Sequence, residues 1–376
     1  MQTSTNRLRK ALVPFAVVAL SAAGLTACGG NSNSAGGSSS GGASGGSGGG
    51  KELAVTLITK TSTNPFFIAM QKGAEAAGKA NNVKITTAAG KADGDETTQI
   101  SAIDAAVARG DDGILITPAT NGVNPAIQQA RDAGLYVIAL DTPPNPPDTV
   151  DITFATDNFK AGELIGKWAA GTLGGKKATI ALLDLFNDKI ASVDYNRDQG
   201  FLTGMGIDTK DKMKNGDEDK TGKYTGGKGG DYTIVCNEPS GATVDGGKTA
   251  METCLSKNPD INVVYSINEP AGEGAAQALK GTDNKVLAVS VDGGCQGVQG
   301  VKDGTFGATS QQYPVKMAQL GVEAIVKIAR GGEKPKVTEG LDFFNTGVAL
   351  VTDQPVAGLE SIDTTKGAEV CWGTKS

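Results

Sequence analysis

The sequence predicts an α/β protein built as two doubly wound lobes. From Leu53 onward, short apolar runs alternate with helical patterns, which is the signature of a wound parallel sheet. Most of the runs lack polar alternation, so both faces of each strand are expected to be covered. The units are also too many for one sheet, and polar stretches at 142–151 and 208–231 divide them.

In chain order, Val55-Thr56-Leu57-Ile58 reads as the first strand and 65–81 as a helix with Phe67, Met70, Ala74 and Ala77 on one face. Further strands are expected at 113–117, 136–140, 178–185, 232–236, 262–267 and 286–291. Helical patterns intervene at 96–109, 121–133, 158–172, 191–205, 243–257, 271–280 and 314–330. In the last of these, Ala318, Val322, Ile325 and Ala329 recur at helical spacing, and Trp168 belongs to a similar core stripe. The 208–231 stretch is rich in Lys, Gly and Asp and is expected to be an exposed excursion. Its Asp217, Asp219 and Gly222 resemble a calcium loop, but Thr221 and Lys228 stand where acids or amides belong, so no metal is expected there.

The first residues read as an address. Arg7, Arg9 and Lys10 precede an apolar stretch at 11–24 that is too short to span a bilayer. It ends in Leu25-Thr26-Ala27-Cys28, which resembles a bacterial lipobox and implies cleavage of residues 1–27 and lipidation of Cys28; an ordinary secretory signal is the alternative. Cleavage would remove three cations and no acid, moving the net charge from −6 to −9. Residues 29–50 comprise 11 Gly, 7 Ser, 2 Asn and 2 Ala, a composition that buries nothing and is expected to act as a flexible tether. The expected order is export signal, anchor on the outer face of the cell membrane, tether, folded region.

Composition excludes several activities. With no histidine among 376 residues, Ser-His and Cys-His nucleophile pairs, histidine zinc sites and imidazole pH switches are absent. Asp and Glu outnumber Lys and Arg by 41 to 35, so the basic footprint of a nucleic-acid binder is missing. Beyond Cys28, four cysteines remain for an oxidising compartment: Cys236, Cys254, Cys295 and Cys371. Two disulfides are expected, with three connectivities open. Local pairing of Cys236 with Cys254 comes first, leaving Cys295 and Cys371 to pin the C-terminal tail; four reduced thiols are the alternative. No CxxC spacing suggests metal.

Candidate ligand-binding residues fall at the carboxyl ends of the expected strands, where open α/β sheets bind ligands. Asp141 follows Leu140, Asn268 follows Ile267, Asp292 follows Val291, and Gln312 follows Ser310-Gln311. Carboxylates and amides each engage two adjacent hydroxyls of a polyol. Asn64, Phe66 and Phe67 open the first helix with an amide and two rings able to stack on a sugar's C–H face. Arg197 adds a fixed fork of donors, and Lys60 stands after the first strand. Each has a plainer reading: strand-end Asp and Asn residues serve as helix caps, Phe66 and Phe67 as core, and Arg197 as a surface partner of Asp194 or Asp198. Asp141 and Asp292 can be drawn as a glycosidase pair, but Arg197 beside them is expected to hold both ionised.

The motifs Thr63-Asn64-Pro65-Phe66-Phe67, Val137-Ile138-Ala139-Leu140-Asp141, Thr156-Asp157-Asn158, Arg197-Asp198-Gln199-Gly200-Phe201, Asn268-Glu269-Pro270 and Val291-Asp292-Gly293-Gly294 occur in that order. The chain from about 51 to 353 thereby resembles the ribose-type (type I) periplasmic sugar-binding proteins of bacterial ABC importers. Asn268-Glu269-Pro270-Ala271, the segment 291–295, the segment 308–314 and the ending Cys371-Trp372-Gly373 resemble the fructose-binding branch. Thr142, where ribose binders place Arg, and the lack of a second-lobe aromatic near residue 242 argue against ribose itself.

The resemblance implies two lobes joined by a three-segment hinge, with crossovers near 155–158, 312–314 and 338–345. The first lobe would comprise 51–155 and 313–340, the second 156–312 and 341–356, and 357–376 would be a tail. Asn64, Phe66, Phe67, Asp141 and Lys60 would bind from the first lobe, Arg197, Asn268 and Asp292 from the second, and Gln312 from the hinge. It further implies a monomer that captures a monosaccharide, fructose foremost, for an ABC permease and its ATPase, with no cofactor and no catalysis. Another sugar or polyol (ribose, xylose, inositol), a sensory role at a membrane receptor, and a sugar-transforming surface enzyme are the alternatives.

Overall fold

The structure, a computed structural model, describes residues 51–282 and 284–374. The expected signal peptide, Cys28 and the Gly/Ser tether lie outside the described residues.

The first lobe winds through β1 (Leu53–Thr59), α1 (Pro65–Asn81), β2 (Val83–Ala89), α2 (Glu96–Arg109), β3 (Gly113–Ile116), α3 (Asn124–Asp132), β4 (Tyr136–Leu140) and β5 (Ile152–Ala155). The chain then crosses and builds α4 (Asn158–Leu173), β6 (Ala178–Asp184), α5 (Ser192–Met205), β7 (Thr221–Tyr224), β8 (Gly230–Pro239), α6 (Val244–Lys257) and β9 (Val263–Ser266). That lobe continues with α7 (Glu269–Leu279), β10 (Leu287–Asp292), α8 (Cys295–Lys302) and β11 (Ala308–Gln311). The chain returns for α9 (Pro314–Ala329) and β12 (Phe344–Asn345), and crosses a third time to β13 (Ala349–Val351) and α10 (Thr364–Val370).

The first sheet runs β12-β5-β4-β3-β1-β2 and every pairing in it is parallel. The second runs β13-β11-β10-β9-β6-β8-β7, parallel within and antiparallel at both edges. Residues of β3, β4 and β6 are buried on both faces, as helix-covered parallel strands must be.

Two expectations need correcting. The 208–231 stretch is not wholly an exposed excursion: residues 221–224 pair with β8, and Tyr224 packs into the second lobe's core. A four-residue edge strand with one apolar side chain carries no readable period. The third crossover lies between β12 and β13, so 341–345 stays with the first lobe through its pairing to β5.

Both disulfides pair as the local reading has it. Cys236 and Cys254 join β8 to α6, with Cα atoms 5.6 Å apart, and Cys295 and Cys371 join the start of α8 to the residue after α10, at 4.9 Å. Trp168 is fully buried, and its indole nitrogen donates to the Gln354 carbonyl. Helices α4 and α5 touch backbone to backbone. A Cβ on Gly162 would collide with the Arg197 carbonyl, and one on Gly200 with the Phe159 carbonyl. Glycine at these positions lets α5 approach α4 closely enough to set Arg197 at the lobe boundary.

Candidate functional site

The strand ends of the two sheets face each other across a narrow cavity lined by Lys60, Asn64, Phe66, Phe67, Asp93, Asp141, Arg197, Asn268, Asp292 and Gln312 among others. The lobes are closed over it. Lys189 Nζ donates to the Gly94 carbonyl at 3.1 Å and Ser192 Oγ to the Pro143 carbonyl at 2.7 Å, both across the cleft.

Arg197 is the centre of the charge arrangement. Its Nε donates to Asn158 Oδ1 at 2.7 Å and its Nη1 to the Ile267 carbonyl at 2.9 Å. These two bonds fix the guanidinium plane; Nη2 lies 3.9 Å from the Asp141 carboxylate, and Nη1, already bonded to Ile267, lies 3.9 Å from that of Asp292. Asp141 comes from the first lobe and Asp292 from the second, so one arginine sees an acid from each side. At 3.9 Å neither acid is in direct hydrogen bond with it.

Asp141 directly follows β4 and accepts from Thr142 Oγ1 at 2.7 Å, and Lys60 Nζ lies 3.6 Å from it. Lys60 also stands 3.8 Å from Asp93. Asp292 ends β10 and accepts from Gln312 Nε2 at 2.7 Å. Both acids adopt positive φ, 66° for Asp141 and 136° for Asp292, where a side chain is held only if its surroundings over-determine it. Glu269 supplies part of that support beside Asp292, accepting from the backbone N–H of Gly293 and Gly294 and from Thr309 Oγ1 at 2.8 to 3.1 Å.

Burial sets the protonation of this group. It pushes Asp292 up to about 7, with Arg197 and Gln312 opposing and Asp141 and Asp93 adding. It also raises Asp93, against the pull of Lys60. Burial thus opposes the expectation that Arg197 holds both Asp141 and Asp292 ionised, by raising Asp292. Desolvation outweighs a guanidinium that touches the carboxylate without donating to it.

Phe66 and Phe67 stand edge to face, 5.3 Å between centroids, and Phe66 stands likewise to Trp372 at 5.3 Å. Both phenylalanines belong to the first lobe's core as well as to the cavity wall, so the core reading and the pocket reading each hold. The cap reading also holds for two residues: Asn64 Oδ1 accepts from the Phe66 N–H and Asn268 Oδ1 from the Ala271 N–H. Their amide nitrogens remain as donors, that of Asn268 reaching the Ala242 carbonyl at 3.4 Å. Gln312 Oε1 is buried without a partner.

All nine sequence-named residues thus line one cavity. The sequence reading missed Asp93 and Asn158. Asp93 sits in the loop after β2, an edge strand whose sequence VKITTAA is too polar to read as part of a covered sheet. Asn158 was in view within Thr156-Asp157-Asn158, but its bond to Arg197 is visible only in three dimensions. A wider pocket beside the cavity shares Asn64, Asp93, Ala242 and Asp292 with it and opens outward past Thr61, Val244 and Trp372. The buried charges converge on the inner cavity. Among the described residues no group of three or more acids or cysteines is arranged to hold a metal ion.

Two wound lobes closed over a polar cavity and joined by three crossovers have the architecture of type I periplasmic binding proteins. The periplasmic binding protein domain family matches residues 55–334, and the chain belongs to that family. The chain is 27% identical over 287 residues to the ribose import binding protein of Bacillus subtilis, covering 76% of this chain and 85% of that one. It is 26% identical over 311 residues to a xylitol-binding protein of Mycolicibacterium smegmatis, covering 82% and 77%. Among solved structures it resembles an ABC transporter solute-binding protein from Agrobacterium vitis with bound D-fucose, at 26% identity and a TM-score of 0.69, covering 85% of this chain and all of that one. The chain is thus a member of the sugar-binding class of ABC transporter solute-binding proteins, whose relatives here are transport proteins and not enzymes.

Proposed function

We propose that the chain captures fructose outside the cell membrane and delivers it to an ABC permease and its ATPase, acting as a monomer anchored through lipid on Cys28. The observation that carries this reading is Arg197, clamped by Asn158 and the Ile267 carbonyl, with Asp141 of one lobe 3.9 Å from its Nη2 and Asp292 of the other 3.9 Å from its Nη1. A sugar seated there accepts from Arg197 and Lys60 and donates to the two carboxylates, while Phe66 and Phe67 cover its apolar face. The unpartnered Gln312 Oε1 and the amide nitrogen of Asn64 complete the polar set.

Neither lobe alone supplies enough partners to desolvate a sugar. Closure completes the hydrogen bonds and excludes water, so ligand shifts the population toward the closed form. A permease then distinguishes loaded from empty by the relation of the lobes. Fructose is favoured over ribose by Thr142, which here bonds Asp141, and by the segments 268–271, 291–295 and 371–373 that resemble the fructose-binding branch. Other ligands of the relatives, xylitol and D-fucose among them, are the competing substrates.

Calorimetric titration of the compact unit Gly50–Ser376 with fructose, ribose, xylose, xylitol, D-fucose and myo-inositol tests this. Micromolar or tighter binding of fructose, about −8 kcal/mol, with the others at least tenfold weaker is the expected result. Tight binding of another sugar keeps the transport reading and discards fructose; heat flow from none discards both.

A further inference from the structure

The C-terminal tail belongs to the second lobe along almost all its length. Thr352 Oγ1 donates to the Gly307 carbonyl, Ile362 N to the Leu350 carbonyl, and Gln311 Nε2 to the Gly367 carbonyl, while α10 packs on α8. Cys371 is then bonded to Cys295, and the Cys295 N–H donates to the Trp372 carbonyl at 2.9 Å. The next group breaks the pattern. The Trp372 indole, with one edge still against Gly294 of the second lobe, lies edge to face on Phe66 of the first lobe and joins that lobe's core with 8% of its surface exposed. Its Nε1 donates at 2.8 Å to the carbonyl of Gln312, the residue at the second crossover.

The geometry points to Trp372 as an interlobe latch, a positioning residue carried on the second lobe by the Cys295–Cys371 disulfide and docked on Phe66 when the lobes close. Three features make it one. The indole is fixed at its base by a covalent bond and a backbone hydrogen bond one residue apart, so it moves with the second lobe as a rigid arm. Its docking partner is a wall of the inner cavity, so the latch seats Phe66 at the same moment as it joins the lobes. The indole N–H is satisfied by a hinge carbonyl; on opening, the ring loses its apolar cover and water takes its place against Phe66. The latch therefore favours the closed form whether or not ligand is present, and in the loaded protein it opposes release without contacting the ligand.

Identification of the ligand rests on the sugar-binding reading above, but the latch itself is tested without ligand. Small-angle scattering of the ligand-free full chain reads the balance of open and closed forms. Trp372→Ala is expected to enlarge the radius of gyration relative to the wild type, and Trp372→Phe, which keeps a ring on Phe66 and loses the N–H, to fall between. Cys295→Ser/Cys371→Ser is expected to behave as Trp372→Ala does, because the arm then loses its base. Stopped-flow measurement with fructose should show dissociation at least tenfold faster in Trp372→Ala and association changed less than threefold. Trp372 and the fully buried Trp168 are the chain's two tryptophans, so a closure-linked emission change should vanish in Trp372→Phe. Unchanged scattering in all three variants overturns the latch, whatever the ligand proves to be. So does a lowered melting temperature with unchanged dissociation, which is the mark of a purely structural tryptophan. If Trp372→Ala does not fold, Trp372→Phe and the cysteine pair decide. If the wild type binds none of the sugars, the transport reading fails and scattering alone decides the latch.

Discussion

The two lobes share a winding pattern but differ in how they handle buried charge. In the first lobe the cavity acids Asp93 and Asp141 stand within 3.8 Å of a buried lysine, Lys60. In the second, burial pushes Asp184, Asp198 and Glu269 well above the usual carboxylate range, Asp194 up to about 6 and Asp292 up to about 7. Neighbouring acids raise several of them further, and the one cation deep among them, Arg197, is turned to the cavity. The second lobe also carries both disulfides, both antiparallel edges and the tail. The first lobe sets its cavity acids beside a lysine that offsets part of their burial, while the second gathers more buried acids around Arg197 and carries the cross-links.

The sharpest way to break this picture is to remove the shared cation. Arg197→Ala removes the partner of Asn158 Oδ1 and of the Ile267 carbonyl and sets Asp141 against Asp292 across the cavity. Sugar affinity is expected to fall at least 100-fold, about 3 kcal/mol, by calorimetry. Lys60→Ala removes a cation from the first lobe only and should cost less. Equal losses would mean that the lobes contribute alike.

Next in size is the cross-link internal to the second lobe. Cys236 and Cys254 are separated by 18 residues, for which loop-entropy arguments give about 3 kcal/mol. Cys236→Ser/Cys254→Ser should lower stability against denaturant by about that amount and leave sugar affinity within twofold, since neither sulfur lines the cavity. A matching loss of affinity would show that the strand β8 to helix α6 cross-link shapes the site.

How much of this was legible in sequence follows the same division. The first lobe's β3 and β4 and helices α1 and α2 were readable because covered strands and amphipathic helices print their burial as apolar pattern. The second lobe hides more. Strand β11 is Ala-Thr-Ser-Gln, and its Thr309, Ser310 and Gln311 are fully buried. Thr309 is bonded to Glu269, Ser310 to the Ala161 carbonyl, and the Gln311 amide nitrogen to the Gly293 carbonyl. A strand stabilised by long-range polar partners leaves no periodic trace. The same holds for Asp93, whose only sequence signal is an acid after an edge strand, and for β7. The strand-end carboxylates were found because their position, beyond the sheet's carboxyl edge, is topological and needs no contact to be inferred.

Stability against pH separates the lobes further. Acids whose folded pKa is raised stay protonated in the fold and ionise in the unfolded chain, so between about pH 4 and 7 the native state binds more protons. Their contribution is present below the unfolded carboxylate pKa and is lost as pH rises through the folded values, about 6 for Asp194 and about 7 for Asp292. The melting temperature should therefore fall by several degrees from pH 4.5 to 7.5 in the ligand-free protein. Asp184→Asn/Asp198→Asn should flatten the slope. An increase over the same range would show these acids to be ionised in the fold.

The smallest expected effect is on binding, and it isolates one acid of the pair around Arg197. Sugar hydroxyls donate to an ionised Asp292 and find fewer acceptor sites on a protonated one. Since burial in the closed cavity pushes Asp292 up to about 7, sugar binding below that pH should expel a proton. Affinity should rise severalfold from pH 5.5 to 7.5. Calorimetry in two buffers of different ionisation enthalpy should count the released proton, and Asp292→Asn should abolish both effects. If affinity falls as pH rises, Asp292 works as a protonated donor, and the two lobes meet the sugar with opposite hydrogen-bond polarity at the carboxylates flanking Arg197.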